Sequence, residues 1–165
     1  MNWPHGGALI PAEGPRVRTI RSALPSLLTA AALVASLTFV GAAPASAATA
    51  RENRLIAKIN TARANHGLPP LRTNRELMAV ARAHSRAMAG SQLLFHSTSY
   101  STVCCWSAVA ENVATGYSVP GAHRALMRST PHRANILSQR MRQVGVGVVF
   151  AGGRIWVTEV FRRPA

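Results

Sequence analysis

The stretch from Glu52 to His66 has the alternation of polar and apolar residues that is typical of an amphipathic helix. One side of this helix carries apolar residues, namely Leu55, Ile56, Ile59 and Ala62. The other side carries charged residues that we expect to face water, namely Arg54, Lys58 and Arg63. Gly67 can cap the helix, and Pro69-Pro70 prevents its continuation.

A second helix is predicted after this turn. Thr73 and Glu76 have the spacing of a capping box, in which each side chain bonds the backbone of the other residue. Behind them, apolar residues and one histidine recur at helical spacing, namely Leu77, Val80, Ala81, His84 and Met88. We expect this helix to stop at Gly90.

The middle of the chain has weaker patterns. The segment from Ser91 to Ser107 lacks a clean period, which favours a loop, and Val109–Ala114 fits either a short helix or a strand. Pro120 suits the first turn of a third helix. Ser129-Thr130-Pro131 predicts a cap followed by a first-turn proline, which starts a short fourth helix through His132 to Leu137.

The end of the chain has the pattern of strands. Val144, Val146, Val148 and Phe150 alternate with glycine and valine, and Ala151-Gly152-Gly153 forms a turn before a second β-rich segment at 155–161. This pattern predicts an antiparallel hairpin. Helices first and a β-ribbon last indicate an α+β domain in which helices pack on a sheet.

The first 47 residues have the pattern of a secretory signal. Three arginines precede an apolar run from Ala23 to Ala43, and a small-residue cleavage site follows at Ala45-Ser46-Ala47. A retained membrane anchor is the alternative, since a span requires roughly 20 apolar residues. The run is rich in Ala, Ser and Thr and has no charged cluster directly after it, which favours removal. We therefore expect a secreted protein with a signal region at 1–47, a domain at 48–165, and no transmembrane span after cleavage at Ala47.

Charge narrows the choice of partners. Sixteen of the nineteen basic residues and four of the five acidic residues follow Ala47, which leaves the mature chain at +12 with His neutral. All but one of those cations, Lys58, are arginine. Such a surface attracts polyanions, so we expect anionic lipids or cell-wall polymers as partners. We expect the protein itself to be a monomer. No DNA- or RNA-binding motif is present, and we expect no specific nucleic-acid partner.

The two cysteines of the chain, Cys104 and Cys105, are adjacent. Disulfides are permitted in an exported protein, so the pair could bond to each other, bond to another chain or stay reduced. The intervening residues of a CxxC redox motif are missing, and no His or further Cys lies at zinc-finger spacing. We favour a vicinal disulfide that stiffens the loop.

Three polar residues stand out as candidates for chemistry: His96, Glu111 and His132. The order and spacing of the segments around them resemble the bacterial branch of the CAP superfamily (cysteine-rich secretory protein, SCP-like). The resemblance spans nearly all of residues 52–163. It includes the Ile59-Asn60-x-x-Arg63-Ala64 helix, the Gly67-Leu68-Pro69-Pro70-Leu71 turn, and the closing Val144-Gly145-Val146-Gly147 and Trp156-Val157-Thr158-Glu159-Val160-Phe161 strands.

This resemblance implies a three-layer α-β-α sandwich with an open cleft, which two histidines and one or two glutamates line. Carried over by motif, the histidines are His96 and His132, and the glutamate is Glu111. Ala110 stands where the family's Gly-Glu-Asn motif has glycine. The second glutamate of animal relatives is missing, because the corresponding stretch is Leu126-Met127-Arg128-Ser129. The expected site is therefore two imidazoles and one carboxylate.

Three kinds of chemistry suit His96, Glu111 and His132. The trio could hold a divalent metal such as Zn²⁺ with open positions for water, run acid–base catalysis, or brace the loops around the cleft. Covalent catalysis would need an activated nucleophile. Ser97 and Ser99 lie near His96, but neither a GxSxG nor an HExxH motif is present.

Three functions follow from these patterns. The charge and the lack of an evident nucleophile favour a noncatalytic binding module of the cell envelope that takes a lipid or envelope ligand. An extracellular interaction or signalling protein, which presents the loop from Ser91 to Ser107, is the second alternative. A metal-dependent hydrolase or peptidase that uses His96, Glu111 and His132 is the third. The sequence thus favours a binding protein over an enzyme.

Overall fold

A computed structural model describes residues 48–98, 100 and 103–165 of the chain. Its elements follow one another in the order α1 Ala50–Ala64, β1 Arg72–Thr73, α2 Arg75–Ser91, β2 Trp106–Gly116, α3 Val119–Arg128, α4 Thr130–Ile136, β3 Gln143–Ala151 and β4 Arg154–Pro164. The predicted signal region, residues 1–47, lies outside the described residues. No helix within the described ranges is long and apolar enough to cross a membrane.

The strands form one sheet in the order β1-β3-β4-β2. β3 and β4 are the predicted antiparallel hairpin, and Gly152 and Gly153 turn between them with φ values of +61° and +73°. β2 runs antiparallel along the other side of β4 and forms an edge of this sheet. The ambiguous segment 109–114 is thus a strand, and the short β1 was not predicted.

Helices cover both faces of the sheet. Along β4, Ile155, Val157 and Phe161 point to a core shared with α1, α3 and α4. Trp156 and Val160 point to the opposite face, where residues of α2 cover them. The three-layer α-β-α sandwich that the resemblance implied is therefore confirmed.

The helix α2 lies directly on the backbone of β3. A Cβ atom added at Gly145 would fall on the backbone of Leu77, and one added at Gly147 would fall on the backbone of Ala81. The alternating glycines of this strand therefore leave the space that the helix occupies, and an alanine at either position would push the two elements apart.

The prediction that Arg63 faces water is wrong. Its side chain is fully buried, and its guanidinium donates from Nε to Pro69 O (2.9 Å) and from Nη1 to Ile136 O (2.8 Å) and Ser138 O (2.9 Å). Arg63 follows Leu55 and Ile59 at i+4 spacing, so it belongs to the buried face of α1. It ties that helix to the end of α4.

The predicted capping box of the second helix is also wrong. Asn74 caps α2 by accepting a hydrogen bond from the Leu77 backbone N–H (3.1 Å), because Thr73 is already part of β1. A capping box occurs instead at the start of α1, between Thr49 and Glu52. The α2 helix runs one residue past Gly90 and ends at Ser91.

Candidate functional site

The edge strand β2 sends two neighbouring polar side chains to opposite faces of the sheet. Glu111 is paired with Val160 and points to the α2 layer, whereas Asn112 is paired with Glu159 and points to the α4 layer. Because β2 is the edge in the described sheet, groups from both helical layers can meet beside it. This arrangement positions the cleft.

On the α2 side, Glu111 anchors His96. The Glu111 side chain is 1% exposed, and its Oε1 accepts hydrogen bonds from His96 Nδ1 (2.9 Å) and from the Ser97 backbone N–H (2.8 Å). The His96 side chain is 59% exposed. One carboxylate oxygen therefore fixes both the loop and the imidazole, and the free Nε2 of His96 is left for the cleft.

On the α4 side, His132 is oriented by its own helix. Its Nδ1 lies 2.7 Å from Ser129 Oγ, and its backbone carbonyl accepts a hydrogen bond from Asn112 Nδ2 (3.0 Å). Burial, and then the proximity of His96, lowers the pKa of His132. This imidazole is therefore neutral at neutral pH, and Nε2 is the ring nitrogen that Ser129 does not engage.

The two imidazoles come together beside β2. Their ring centroids are 6.5 Å apart and their planes differ by 22°. The structure thus brings His96, Glu111 and His132 into one place. Of the serines near His96, Ser97 contributes the backbone N–H described above, and Ser99 lies outside the described residues.

The donor set offers a metal ion two ligands and not three. Within 48–98, 100 and 103–165, no group of three or more His, Cys, Asp or Glu side chains is arranged to hold a metal. Oε1 of Glu111 is already used by His96 and Ser97, so this carboxylate orients a histidine in the way that second-sphere carboxylates do in metalloproteins. The residues that could hold an ion are His96 and His132, each through Nε2.

A second buried carboxyl group, Glu159, lies on the other face of the sheet. Its Oε2 accepts a hydrogen bond from Asn112 Nδ2 (3.0 Å), and its Oε1 is buried without a hydrogen-bond partner in the described structure. Burial raises the pKa of Glu159 to about 7, against the opposing effect of the Asn112 bond. Asn112 also accepts from Asn135 Nδ2 (2.9 Å), so it links Glu159 to α4.

Glu159 and Ser129 were not predicted as members of the site. The alternation along β4 could have revealed Glu159, because it places this residue with Val157 and Phe161 on the buried face. Ser129 was interpreted only as a helix cap, but its hydroxyl bonds His132 instead of the helix backbone.

The cysteines lie at another place in the fold. Cys104 and Cys105 are bonded to each other in the structure. The Cys104 backbone N–H donates to Glu76 Oε1 (3.2 Å), and its carbonyl accepts from Arg162 Nη1 (2.9 Å). Glu76 and Arg162 also form an ion pair (2.9 Å). The loop is thus tied to the first turn of α2 and to the end of β4.

Comparison with known proteins decides the family. The sequence profile of the cysteine-rich secretory protein (CAP) family matches residues 56–161. The chain belongs to this family. An uncharacterized Bacillus subtilis (strain 168) protein, YkwD, is 31% identical to this CAP chain over 124 residues, which cover 69% of the chain and 48% of that protein. The chain therefore spans about half the length of that relative.

Solved structures agree with the CAP assignment. An extracellular protein containing an SCP domain from Bacillus anthracis superposes with a TM-score of 0.61 at 23% identity, over 68% of this chain and 40% of that one. The structure of NaASP2 with Zn²⁺ superposes with a TM-score of 0.54 at 11% identity, over 67% and 78% of the two chains. At these identities the likeness shows the fold, and the bacterial relatives confirm the predicted branch of the CAP family.

Proposed function

We propose that this CAP domain is a noncatalytic binding module that acts outside the cytoplasm and takes an anionic ligand of the cell envelope. One observation supports the anionic ligand: the four side-chain carboxyl groups of the described chain are used internally. Their partners are Arg82 for Glu52, Arg162 for Glu76, His96 for Glu111 and Asn112 for Glu159. The fourteen other Lys and Arg side chains of residues 48–165 have no carboxylate partner in the described structure.

This imbalance has a direct physical consequence. A surface that carries many uncompensated cations produces a positive potential, which attracts polyanions and raises their rate of encounter. The potential is screened within about 8 Å at physiological salt. Binding that depends on it must therefore weaken as salt is added. The extracellular Bacillus anthracis protein with the same fold supports a location outside the cytoplasm for this chain.

The contacts in the cleft support positioning more than covalent catalysis. Ser129, the N-cap residue of α4, bonds the His132 imidazole, but in the described structure Glu111 bonds His96 and not His132, so these residues do not form a Ser-His-carboxylate triad. Glu111 uses one oxygen to hold both His96 and the Ser97 backbone. These bonds fix side chains and loops in place, as a binding site requires.

A salt titration tests the proposed function. Purified protein would be mixed with phosphatidylglycerol vesicles and, separately, with anionic wall polymer at 50 and 500 mM NaCl. We expect binding to one or both at low salt and a steep loss at high salt. Binding that is unchanged between the two salt concentrations would contradict the electrostatic mode, and no binding at low salt would contradict the proposal itself.

A second candidate function is binding of a divalent cation in the cleft. Two imidazoles 6.5 Å apart, each held at Nδ1 by a protein group, support a two-nitrogen site for Zn²⁺ or a similar ion. NaASP2, which has the same fold, was solved with Zn²⁺. A bound ion would supply Lewis-acid chemistry, which is what the metal-dependent hydrolase or peptidase alternative needs. The residues of this chain would bind and orient it.

Calorimetric titration with Zn²⁺ at pH 7 distinguishes this candidate. We expect weak binding that His96→Ala and His132→Ala each remove. His66→Ala is the matched control, because His66 is an exposed histidine that bonds Ala62 O and Arg133. Absence of Zn²⁺ binding by the unaltered protein, or equal loss in the His66 variant, would exclude the cleft as a metal site.

A further inference from the structure

A second candidate binding surface lies at the hairpin end of the domain, outside the cleft. A shallow pocket of about 290 Å³ forms where the start of α1, the start of α3 and the β3–β4 hairpin meet. Its lining includes Arg51 and Arg54 from α1, Tyr117 from the turn before α3, and Phe150 from β3. Arg154, at the start of β4, lies beside Tyr117. We call these five residues the hairpin-end surface.

Two of the three arginines of this surface, Arg51 and Arg154, are placed by aromatic rings and not by acids. The Arg51 guanidinium carbon lies 5.8 Å from the centre of the Phe150 ring, and that of Arg154 lies 6.0 Å from the Tyr117 ring. A cation–π contact orients a guanidinium but leaves its charge in place. No carboxylate of the described chain pairs with Arg51, Arg54 or Arg154. The three positive charges are therefore available to an external anion.

The same end of the molecule exposes apolar side chains. Tyr117 is 82% exposed and Phe150 is 58% exposed. Leu93, which follows Gln92 after α2, is 65% exposed, and the Gln92 side chain lies against Gly152 of the hairpin turn. Exposed aromatic and aliphatic groups beside cations are typical of surfaces that lie in the headgroup region of a bilayer.

We propose that the hairpin-end surface docks on an anionic membrane surface. The guanidinium groups of Arg51, Arg54 and Arg154 bind lipid phosphates, while Tyr117 and Phe150 enter the headgroup region. This inference rests on the proposed function for the sign of the ligand's charge, and it adds both the surface and the ligand class. A soluble polyanion would use the arginines alone, so the exposed apolar groups favour a lipid surface over a wall polymer.

Flotation of the full protein with vesicles tests the role of the arginines. The vesicles contain phosphatidylglycerol and phosphatidylcholine, or phosphatidylcholine alone. The triple variant R51Q/R54Q/R154Q should bind the anionic vesicles about 100-fold more weakly, since each cation near an anionic surface contributes roughly a five-fold gain in affinity. The control R86Q/R124Q/R128Q removes the same charge from exposed helical positions. We expect this control variant to bind the anionic vesicles less than about five-fold more weakly than the unaltered protein.

The variant Y117S/F150S tests the role of the aromatic rings. It should weaken vesicle binding, above all the part that survives high salt, and leave binding to soluble polyphosphate unchanged. Both side chains are largely exposed, and a thermal melt checks that the fold persists.

The outcomes separate this inference from the proposed function. Equal losses in the two arginine triples would overturn the hairpin-end surface while leaving the anion-binding module in place. Full vesicle binding by Y117S/F150S, with polyphosphate competing for the arginines, would assign the surface to a soluble polyanion and overturn membrane docking. Failure of the unaltered protein to bind either vesicles or polyphosphate would contradict both.

Discussion

Glu111 and Glu159 are both buried glutamates on neighbouring strands, but their surroundings differ. Glu111 faces the α2 layer, and one of its oxygens accepts two hydrogen bonds, from a side chain and from the backbone. Glu159 faces the α4 layer and has a single donor, the Asn112 amide. Two donors make Glu111 a structural anchor for the His96 loop. One neutral donor leaves Glu159 as a group that gains a proton near neutrality.

The two carboxyl groups share burial and one oxygen without a hydrogen-bond partner in the described structure, and they differ in the number of donors to the other oxygen. The pKa of Glu159 is about 7 in the folded protein against an ordinary 4.5. Between these values the folded state binds more protons than the unfolded state. The contribution of Glu159 to stability is therefore full below about pH 4.5 and is lost as the pH rises through 7.

The largest effect is expected for Glu111→Ala. The change leaves the buried Ser97 N–H without its acceptor and releases His96, so we expect the free energy of unfolding to fall by about 3 kcal/mol. Urea denaturation at pH 7 measures it. Glu76→Ala is the control, since the Glu76 side chain is 47% exposed, and its ion pair with Arg162 should contribute less than about 1 kcal/mol. Equal losses of stability in the two variants would show that the buried Glu111 contributes no more than the half-exposed Glu76.

Glu159→Gln should give the next largest change in the free energy of unfolding, and here we expect an increase. Glutamine keeps an acceptor for Asn112 but cannot ionise, so at pH 8 the variant should be more stable than the unaltered protein by about 2 kcal/mol. At pH 4.5 the two proteins should be equally stable. Urea denaturation at both pH values checks this, and an unaltered dependence of stability on pH would show that Glu159 does not titrate in this range.

The smallest effect is expected for Ser129→Ala. Loss of the partly exposed bond to His132 should lower the free energy of unfolding by only about 0.5 kcal/mol. The tautomer ratio of the His132 imidazole should change clearly, because its Nδ1 loses its partner. Nitrogen chemical shifts of the histidine rings measure that ratio. Ser138→Ala, which removes an exposed hydroxyl that caps the Arg140 N–H, should leave the ratio unchanged.

Periodicity predicted most of the fold. The helical faces of α1 and α2, the hairpin and the α+β class all follow from the spacing of apolar residues. Arg63 was misplaced because charge was taken as a sign of exposure, although its spacing from Ile59 places it on the buried face. The short strand β1 was missed because two residues carry no period, and Val144, with which Thr73 pairs, lies 71 residues further along the chain (144 − 73).

The residues of the site could be predicted from the motifs, but the hydrogen bonds between them could not. His96, Glu111 and His132 were named from the resemblance to the family, and the structure brings them together. What the sequence could not show is the direction of each hydrogen-bonding atom. Glu111 could act as a ligand next to His96 or as a group that orients the His96 imidazole. Which of the two applies depends on the ring nitrogen of His96 that faces the carboxylate, and the path of the loop determines that nitrogen. The catalytic and metal-binding roles of the trio stay predictions.

The close contact of α2 with the glycines of β3 has a consequence for how the cleft opens. Backbone amides on the facing side of that helix should exchange with solvent only when the whole domain unfolds, since nothing can enter between the two elements. Helix α4 has seven residues, one of which is fully enclosed, and its first turn lacks a side-chain cap. Its amides should exchange through local fraying. His132 thus lies on the element that opens locally, and we expect the cleft to widen on the side of α4.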